Sequence, residues 1–353
     1  MSEPMSVGRP FASAARALLL GSLLLACQPI DGPGLESDDS ALASGEPDLP
    51  ASVEAALHAP APPAWADRLF TVDHEVPTGD GGHIHVRETF NLRAWFRRHR
   101  RAVLMLPGPL TTGEFFNIDV DGYRDREGVA SRGVFAFTAD FEGTGGSSFP
   151  ADGGSATQAR QVALMRRVVR YIRWIRGVRR VDVLGESWGG GVAAELCSDR
   201  RRVRSCVLAS MLYQTPSDFA LATFLDPGFR AFLESLPNAY LPTDPSVYLR
   251  FTPRMTPEVA AWTDANMPGQ YSVAPLLDVF SLPFFDATGA NVPGLLIQGE
   301  LDENQDVADS MALAADYGGG MELIVIAGAG HVPRTEPAAH DVYWDAVFEF
   351  WGI

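Results

Sequence analysis

The 353-residue sequence contains no lysine, so its 28 fixed cations are all arginine. That absence excludes a Schiff-base nucleophile, a Ser–Lys dyad and a phosphate-loop lysine, because a guanidinium keeps its proton in proteins. Cysteine is scarce as well. There are three, without the Cys/His spacing that a structural metal site needs. Positive charge is in deficit overall, and a formal net charge of −16 disfavours nucleic acid and anionic membrane surfaces as partners. What is plentiful is apolar surface: at 46% hydrophobic residues the chain can bury a large core, so it is globular.

The N-terminus reads separately from the rest. Arg9 and Arg16 precede the short apolar run Ala17-Leu18-Leu19-Leu20-Gly21-Ser22-Leu23-Leu24-Leu25-Ala26, which ends at Cys27. A basic start, a short apolar stretch and small residues before a cut site describe an export signal over residues 1–26. Leu24-Leu25-Ala26-Cys27 resembles the bacterial lipoprotein box. That resemblance implies cleavage before Cys27, lipid on the new N-terminal cysteine, and, with Gln28 following, outer-membrane sorting. An ordinary signal peptide with a chance cysteine is the alternative. Residues 27–63 are rich in Pro, Ala, Ser, Asp and Glu and poor in large hydrophobes, the composition of a disordered spacer. His58 falls within it and needs no function.

From residue 64 to 353 the pattern is that of an α/β domain. Residues 69–76 and 84–90 read as strands around the Gly79-Asp80-Gly81-Gly82 turn. His83 and His85, two apart, share a face with Arg87. Such a pair can hold a metal, but with no third ligand nearby a solvated polar face is the expectation and no metal is assigned. Short apolar strands follow at 102–106 and 134–138, with a helix expected soon after the first. Residues 157–176 read as an amphipathic helix with Val162, Met165, Val169 and Ile172 on one face and Arg166, Arg170 and Arg173 on the other. On so acidic a chain the arginine stripe reads as a solvated face. Strands at 181–184 and 203–209 continue the alternation, which implies a mostly parallel sheet with helices on both faces.

The alternation stops at about 211 and resumes at about 291. On the order of 80 residues is too long for a bare loop in a compact domain. The stretch is rich in aromatics and proline, so it is read as an inserted, mainly helical cap whose aromatics chiefly form its own core. Afterwards come a strand at 292–297, a helix at 307–317, a strand at 323–326 and a closing helix at 340–351. Cys197 and Cys206 flank an arginine-rich connection. They form either a disulfide or two buried thiols, since spacing alone does not supply the Cα separation.

Three stretches carry the chemistry. In Val181-Asp182-Val183-Leu184-Gly185-Glu186-Ser187-Trp188-Gly189-Gly190-Gly191 a buried strand meets a small-residue helix at a serine between glycines. Such a turn strains the serine backbone and lifts its hydroxyl clear of the sheet beside helix N–H groups. Gln298-Gly299-Glu300-Leu301-Asp302 places a carboxylate just past a strand end, with Glu300, Glu303 and Asp306 as rival acids. Ala327-Gly328-Ala329-Gly330-His331 places a histidine just past the last strand. Strand ends of a parallel sheet converge on one edge. There a hydroxyl needs a base to take its proton, a neutral imidazole supplies that base, and a carboxylate fixes the imidazole's tautomer. The run Asp302-Glu303-Asn304-Gln305-Asp306 imitates a calcium loop, but Val307 stands where glycine should and Leu313 where the closing glutamate should.

On these motifs the region from about 69 to the C-terminus resembles a capped α/β-hydrolase. Gly185-Glu186-Ser187-Trp188-Gly189 matches the nucleophile elbow, Asp302 the acid loop and Gly330-His331 the histidine loop. Asp140-Phe141-Glu142-Gly143-Thr144-Gly145-Gly146-Ser147 resembles the family's D-x-x-G-x-G-x-S turn and is carried over as structural. The resemblance implies Ser187 as nucleophile, His331 as base, Asp302 as orienting acid, no cofactor, and a small acyl compound as substrate. Trp188 is implied as one oxyanion donor. The chain departs from the family at Pro107-Gly108-Pro109, where His-Gly and a further N–H are usual. Pro109 has no N–H, so the second donor shifts to Gly108 or Leu110. The reading is a serine esterase. One rival is a peptidase like the prolyl aminopeptidases, with Asp218, Asp226 or Glu234 holding a substrate amine. A second is a binding lipoprotein that keeps the fold without catalysis.

Overall fold

The computed structural model describes residues 64–223, 225–244, 252–283 and 285–353. The expected signal peptide, the lipidation site Cys27, the spacer and His58 lie outside the described residues. Eight strands form the central sheet: β1 (Leu69–Pro77), β2 (His83–Asn91), β3 (Ala102–Leu106), β4 (Phe135–Ala139), β5 (Val181–Glu186), β6 (Val203–Ala209), β9 (Gly294–Gly299) and β10 (Met321–Ile326). Their order is β1-β2-β4-β3-β5-β6-β9-β10. The β1–β2 hairpin runs antiparallel, and β2 pairs antiparallel with β4; every other neighbour is parallel. Every residue of β3, β4, β5 and β9 is buried, as expected of strands covered on both faces.

Helices α1 (Leu92–Phe96), α2 (Asp125–Ser131), α3 (Gln158–Arg176), α4 (Trp188–Leu196), α9 (Val307–Asp316) and α10 (His340–Trp351) surround the sheet. Thr157 caps α3 by accepting from the Arg160 N–H, and Gly177 ends it in the left-handed conformation. Val162, Met165, Val169 and Ile172 are all buried, as the periodicity required. Tyr343, Trp344, Val347, Phe348 and Trp351 of α10 pack with Val129 of α2 against Met105, Leu184, Val207 and Ile297 of the sheet. Burying one such side chain contributes about 1.5–3 kcal/mol, so this layer fixes the strand ends on which the site depends.

Two expectations change. After β3 the chain makes only a 3-10 turn at Gly113–Phe116, and its α-helix, α2, begins at Asp125. The reason is local: Asp140 Oδ1 accepts the Gly113 N–H at 2.7 Å, holding the loop against β4. The segment between β6 and β9 contains α5 (Asp218–Thr223), α6 (Pro227–Ser235), α7 (Pro257–Asn266) and α8 (Ala274–Asp278). It also contains a two-stranded sheet of β7 (Tyr240–Pro242) and β8 (Gln270–Ser272) that no periodicity announced. Three-residue strands are too short to show one. Nor is the core of this segment its own. Leu233, Val259, Tyr271, Val273 and Leu276 share one cluster with Leu110, Phe115, Ile118 and Val332 from the rim of the main sheet. Phe219 and Phe232 stay exposed.

The D-x-x-G-x-G-x-S turn is the clamp between these layers. Asp140 Oδ2 accepts the Gly146 N–H at 2.8 Å and faces His85 Nδ1 at 3.0 Å, while Ser147 Oγ donates to Asp140 O. The Ser272 N–H of β8 donates to Gly143 O at 3.2 Å, and Tyr240 Oη of β7 donates to Pro150 O at 2.8 Å. His85 thus sits between Asp140 and Asp73, and His83 beside Gly146 O and Ser148 Oγ. Among the described residues no three potential ligands gather for a metal. Cys197 and Cys206 are joined as a disulfide, with Cα atoms 6.1 Å apart.

Candidate active site

Ser187 sits where β5 gives way to α4, at φ 52° and ψ −128°. A non-glycine residue there is strained by about 1–3 kcal/mol, and such strain persists only where the surroundings over-determine it. They do. The Ser187 N–H donates to Ala209 O at 2.8 Å, and Ser187 O accepts from the Gly190 N–H at 2.8 Å. A Cβ on Gly185 would run into Gly189 O, and one on Gly189 into Pro107 O. Only glycine lets strand, helix and the β3 loop approach so closely.

His331 lies in the loop after β10. Its Nε2 is 3.1 Å from Ser187 Oγ, and its Nδ1 is 2.9 and 3.0 Å from the two oxygens of Asp302. Both side chains are buried, whereas Ser187 is half-buried. Two of the three rival acids are engaged elsewhere. Glu300 accepts the Gly328 N–H, Glu303 pairs with Arg254, and Asp306 stands at the head of α9. Burial pushes the His331 imidazole down, but the charge and hydrogen bond of Asp302, joined by Glu186 and Glu303, push it further up. The net shift is upward. The Asp302 carboxylate accepts the Asn304 N–H at 2.8 Å and Gln298 Nε2 at 2.9 Å. Gln298 is held in turn by Ser310 Oγ, 3.1 Å from its Oε1, and by Gln305.

A second buried network joins the elbow to the histidine loop. Arg334 Nε donates to Glu186 Oε2 at 2.6 Å, and its Nη1 donates to Asp125 Oδ2 at 3.1 Å and Phe115 O at 2.8 Å. The guanidinium lies over the rings of Phe115 and Phe116. His340 Nε2 faces the other oxygen of Asp125 at 3.0 Å. Reading the sequence missed Gln298, Arg334 and Asp125. The one available signal was a polar residue, Gln298, closing an apolar strand directly before the acid loop.

The oxyanion candidates separate. Gly108 lies against Ser187, a Cβ built on it falling 3.3 Å from Ser187 Cβ. Trp188 is buried, its ring edge-on to Phe141 at 5.0 Å. Among the described residues no backbone acceptor takes the main-chain N–H of Trp188 or Gly108. Leu110, at φ 64°, takes the left-handed backbone and belongs to the same apolar cluster as Tyr271. Of the acids considered for an amine subsite, two are committed elsewhere. Asp226 caps α6, Glu234 pairs with Arg230 on the surface, and Asp218 is exposed. A cavity of about 560 Å³ lined by Asp80, Glu142, Phe149 and Arg160 contains none of Ser187, Asp302 and His331, and Arg160 there is already paired with both carboxylates.

Solved structures share this architecture. E-2-(acetamidomethylene)succinate hydrolase is 14% identical, with a TM-score of 0.59 over 80% of this chain and 100% of its own. The 2-hydroxy-6-oxo-6-phenylhexa-2,4-dienoate hydrolase of Rhodococcus sp. strain RHA1 is 17% identical, with a TM-score of 0.53 over 81% and 100%. A thioesterase domain from the curacin biosynthetic pathway is 15% identical, with a TM-score of 0.55 over 78% and 99%. At these identities the likeness is one of fold. No curated protein sequence matches the chain. The model of the alpha/beta hydrolase family matches residues 103–342, which span the elbow, the acid loop and the histidine loop, and the chain belongs to that family.

Proposed function

We propose that the protein is a serine hydrolase of carboxylic esters or related acyl compounds. The observation that carries this reading is one imidazole with Ser187 Oγ on its Nε2 side and Asp302 on its Nδ1 side, all within 3.1 Å. Ser187 Oγ attacks the acyl carbon while its proton passes to His331 Nε2. The charged imidazole, held by Asp302, then protonates the leaving group, and water repeats the sequence to release the acid. The Trp188 N–H at the start of α4 receives the developing oxyanion, together with the loop 107–110.

Asp226 and Glu234 are committed to a cap and a surface pair, which favours an ester over a peptide with a free amine. Hydrolysis of p-nitrophenyl esters of graded acyl length, set beside aminoacyl p-nitroanilides, tests the class. The esters are expected to turn over, with activity lost in Ser187→Ala. Turnover of the anilides alone would return the chain to the peptidase alternative, and wild-type protein inert toward both substrate sets would return it to the binding-protein alternative. We further infer an exported lipoprotein, on the Leu24-Leu25-Ala26-Cys27 motif alone. Metabolic labelling with a palmitate analogue should mark the wild type and not Cys27→Ser; equal labelling of both removes the anchor.

A further inference from the structure

Strand β9 is apolar until Gln298, which brings a fully buried amide to its carboxyl end. A polar group so deep lowers stability unless its hydrogen-bonding atoms are paired, and an apolar side chain would fill the space at no such cost. Here the pairing is complete and has a direction. An ionised carboxylate only accepts, so the amide turns Nε2 toward Asp302 and Oε1 away. One hydrogen of Nε2 goes to Asp302 Oδ2 at 2.9 Å and the other to Gly299 O at 3.1 Å. Donors face Oε1: the Ser310 hydroxyl at 3.1 Å and Gln305 Nε2, which also donates to Ser310 Oγ at 3.0 Å. Gln305 and Ser310 are themselves buried. Ser310 lies on α9, and the backbone of Gln305 is bridged to Pro216, just before α5. The amide is thus held by two partners outside its own strand.

We infer that Gln298 is a positioning residue, which fixes the plane of the Asp302 carboxylate against His331. Asp302 takes one donor on each oxygen, the Asn304 N–H on Oδ1 at 2.8 Å and Gln298 Nε2 on Oδ2. It meets His331 Nδ1 with both oxygens, at 2.9 and 3.0 Å. Rotation of the carboxylate about its Cβ–Cγ bond would break its bonds to both donors. The Asn304 N–H belongs to the acid loop and travels with Asp302, whereas Gln298 stands on β9. Gln298 is therefore the donor that ties the carboxylate to the sheet. With the carboxylate fixed, the imidazole keeps its proton on Nδ1 and its lone pair on Nε2, 3.1 Å from Ser187 Oγ. As that oxygen bonds to the acyl carbon, its proton passes to Nε2. The positive imidazole then forms opposite a carboxylate that needs no reorientation. Gln298 touches none of the reacting atoms and acts through Asp302.

This inference rests on the serine hydrolase reading, and its test separates the two. Labelling of Ser187 in the wild type by a fluorophosphonate establishes the reactive serine, and the rate of that labelling then measures the inference. Gln298→Met keeps the length of the side chain and removes the amide. A hydrogen bond to a charged group is worth about 10- to 100-fold in a rate. Labelling, and kcat for p-nitrophenyl butyrate, should fall by that factor with KM little changed. Beside Asp302→Asn the same substitution should cause no further fall, because Gln298 acts through the carboxylate. Ser310→Ala removes one of the two donors on Oε1 and leaves the amide in place. It should give a smaller loss, about 5-fold, again absent beside Asp302→Asn. A wild-type rate in Gln298→Met overturns the inference. An equal fold-loss with and without the Asp302 carboxylate also overturns it, by assigning Gln298 to packing. If Gln298→Met does not fold, the Ser310→Ala cycle decides by the same two criteria. A wild type that is not labelled at Ser187 overturns the serine reading, and this inference with it.

Discussion

Arg334 Nε donates to Glu186 Oε2 at 2.6 Å, so a residue three positions after the site histidine is bound to the residue directly before the site serine. Both side chains are almost completely buried. The histidine loop is therefore tied to the elbow by an ion pair as well as by the sheet. A buried pair of this kind gives little net stability against an apolar substitute, but removing one partner strands a charge at a cost of about 3–5 kcal/mol.

Arg334→Met should accordingly lower unfolding stability by several kcal/mol, in line with the roughly 3–5 kcal/mol cost of stranding one partner, and reduce kcat. Adding Glu186→Gln in the same chain should restore part of the stability, because one of the two carboxylates that lose the guanidinium, Glu186 and Asp125, is neutralised. Urea unfolding of the four proteins of this cycle measures the coupling. Additive effects of the two substitutions would show that the pair does not tie the loops together.

The pH dependence follows from His331. With His331 as the base of the proposed reaction, catalysis needs the neutral imidazole, and its ionisation lies above the ordinary 6.5 because Asp302, Glu186 and Glu303 outweigh burial. Activity should rise with pH through a midpoint above 6.5. Asp302→Asn should move that midpoint down and reduce kcat by several orders of magnitude, since the tautomer is no longer fixed. The stability linkage runs the other way. A histidine with a raised folded-state pKa contributes stability that is complete below its unfolded value and is lost as pH climbs through its folded value. The kcat–pH profiles of wild type and Asp302→Asn check this; identical midpoints contradict it.

Reduction should destabilise the protein. The Cys197–Cys206 bridge spans a sequence separation of 9 and constrains the connection between α4 and β6. A loop of that length contributes about 2.5 kcal/mol by chain entropy. The melting temperature should fall on reduction and in Cys197→Ser. An unchanged value in both would mean the thiols do not pair in solution.

Much of this was legible in advance for identifiable reasons. Val103, Leu104, Val183 and Leu208 lie in short apolar runs bounded by polar residues, glycine or proline, and runs of that length read as interior strands. Ser187, Asp302 and His331 each follow such a run, so their meeting needed only the parallel sheet. Tyr240 and Tyr271 were opaque, because strands of three residues carry no period and their pairing spans some thirty residues. Arg334 was opaque for a different reason. Nothing local to Val332-Pro333-Arg334 says that a guanidinium turns inward, and its partners Glu186 and Asp125 lie 148 and 209 residues away.

The most direct test of the central claim is the site of covalent capture. Folded wild-type protein, treated with a fluorophosphonate and digested, is expected to carry the phosphonyl group on the peptide containing Ser187. His331→Gln is expected to react at least 100-fold more slowly, because the hydroxyl then has no base to take its proton. Modification at another residue, or an unmodified Ser187 peptide from folded protein, would contradict the account.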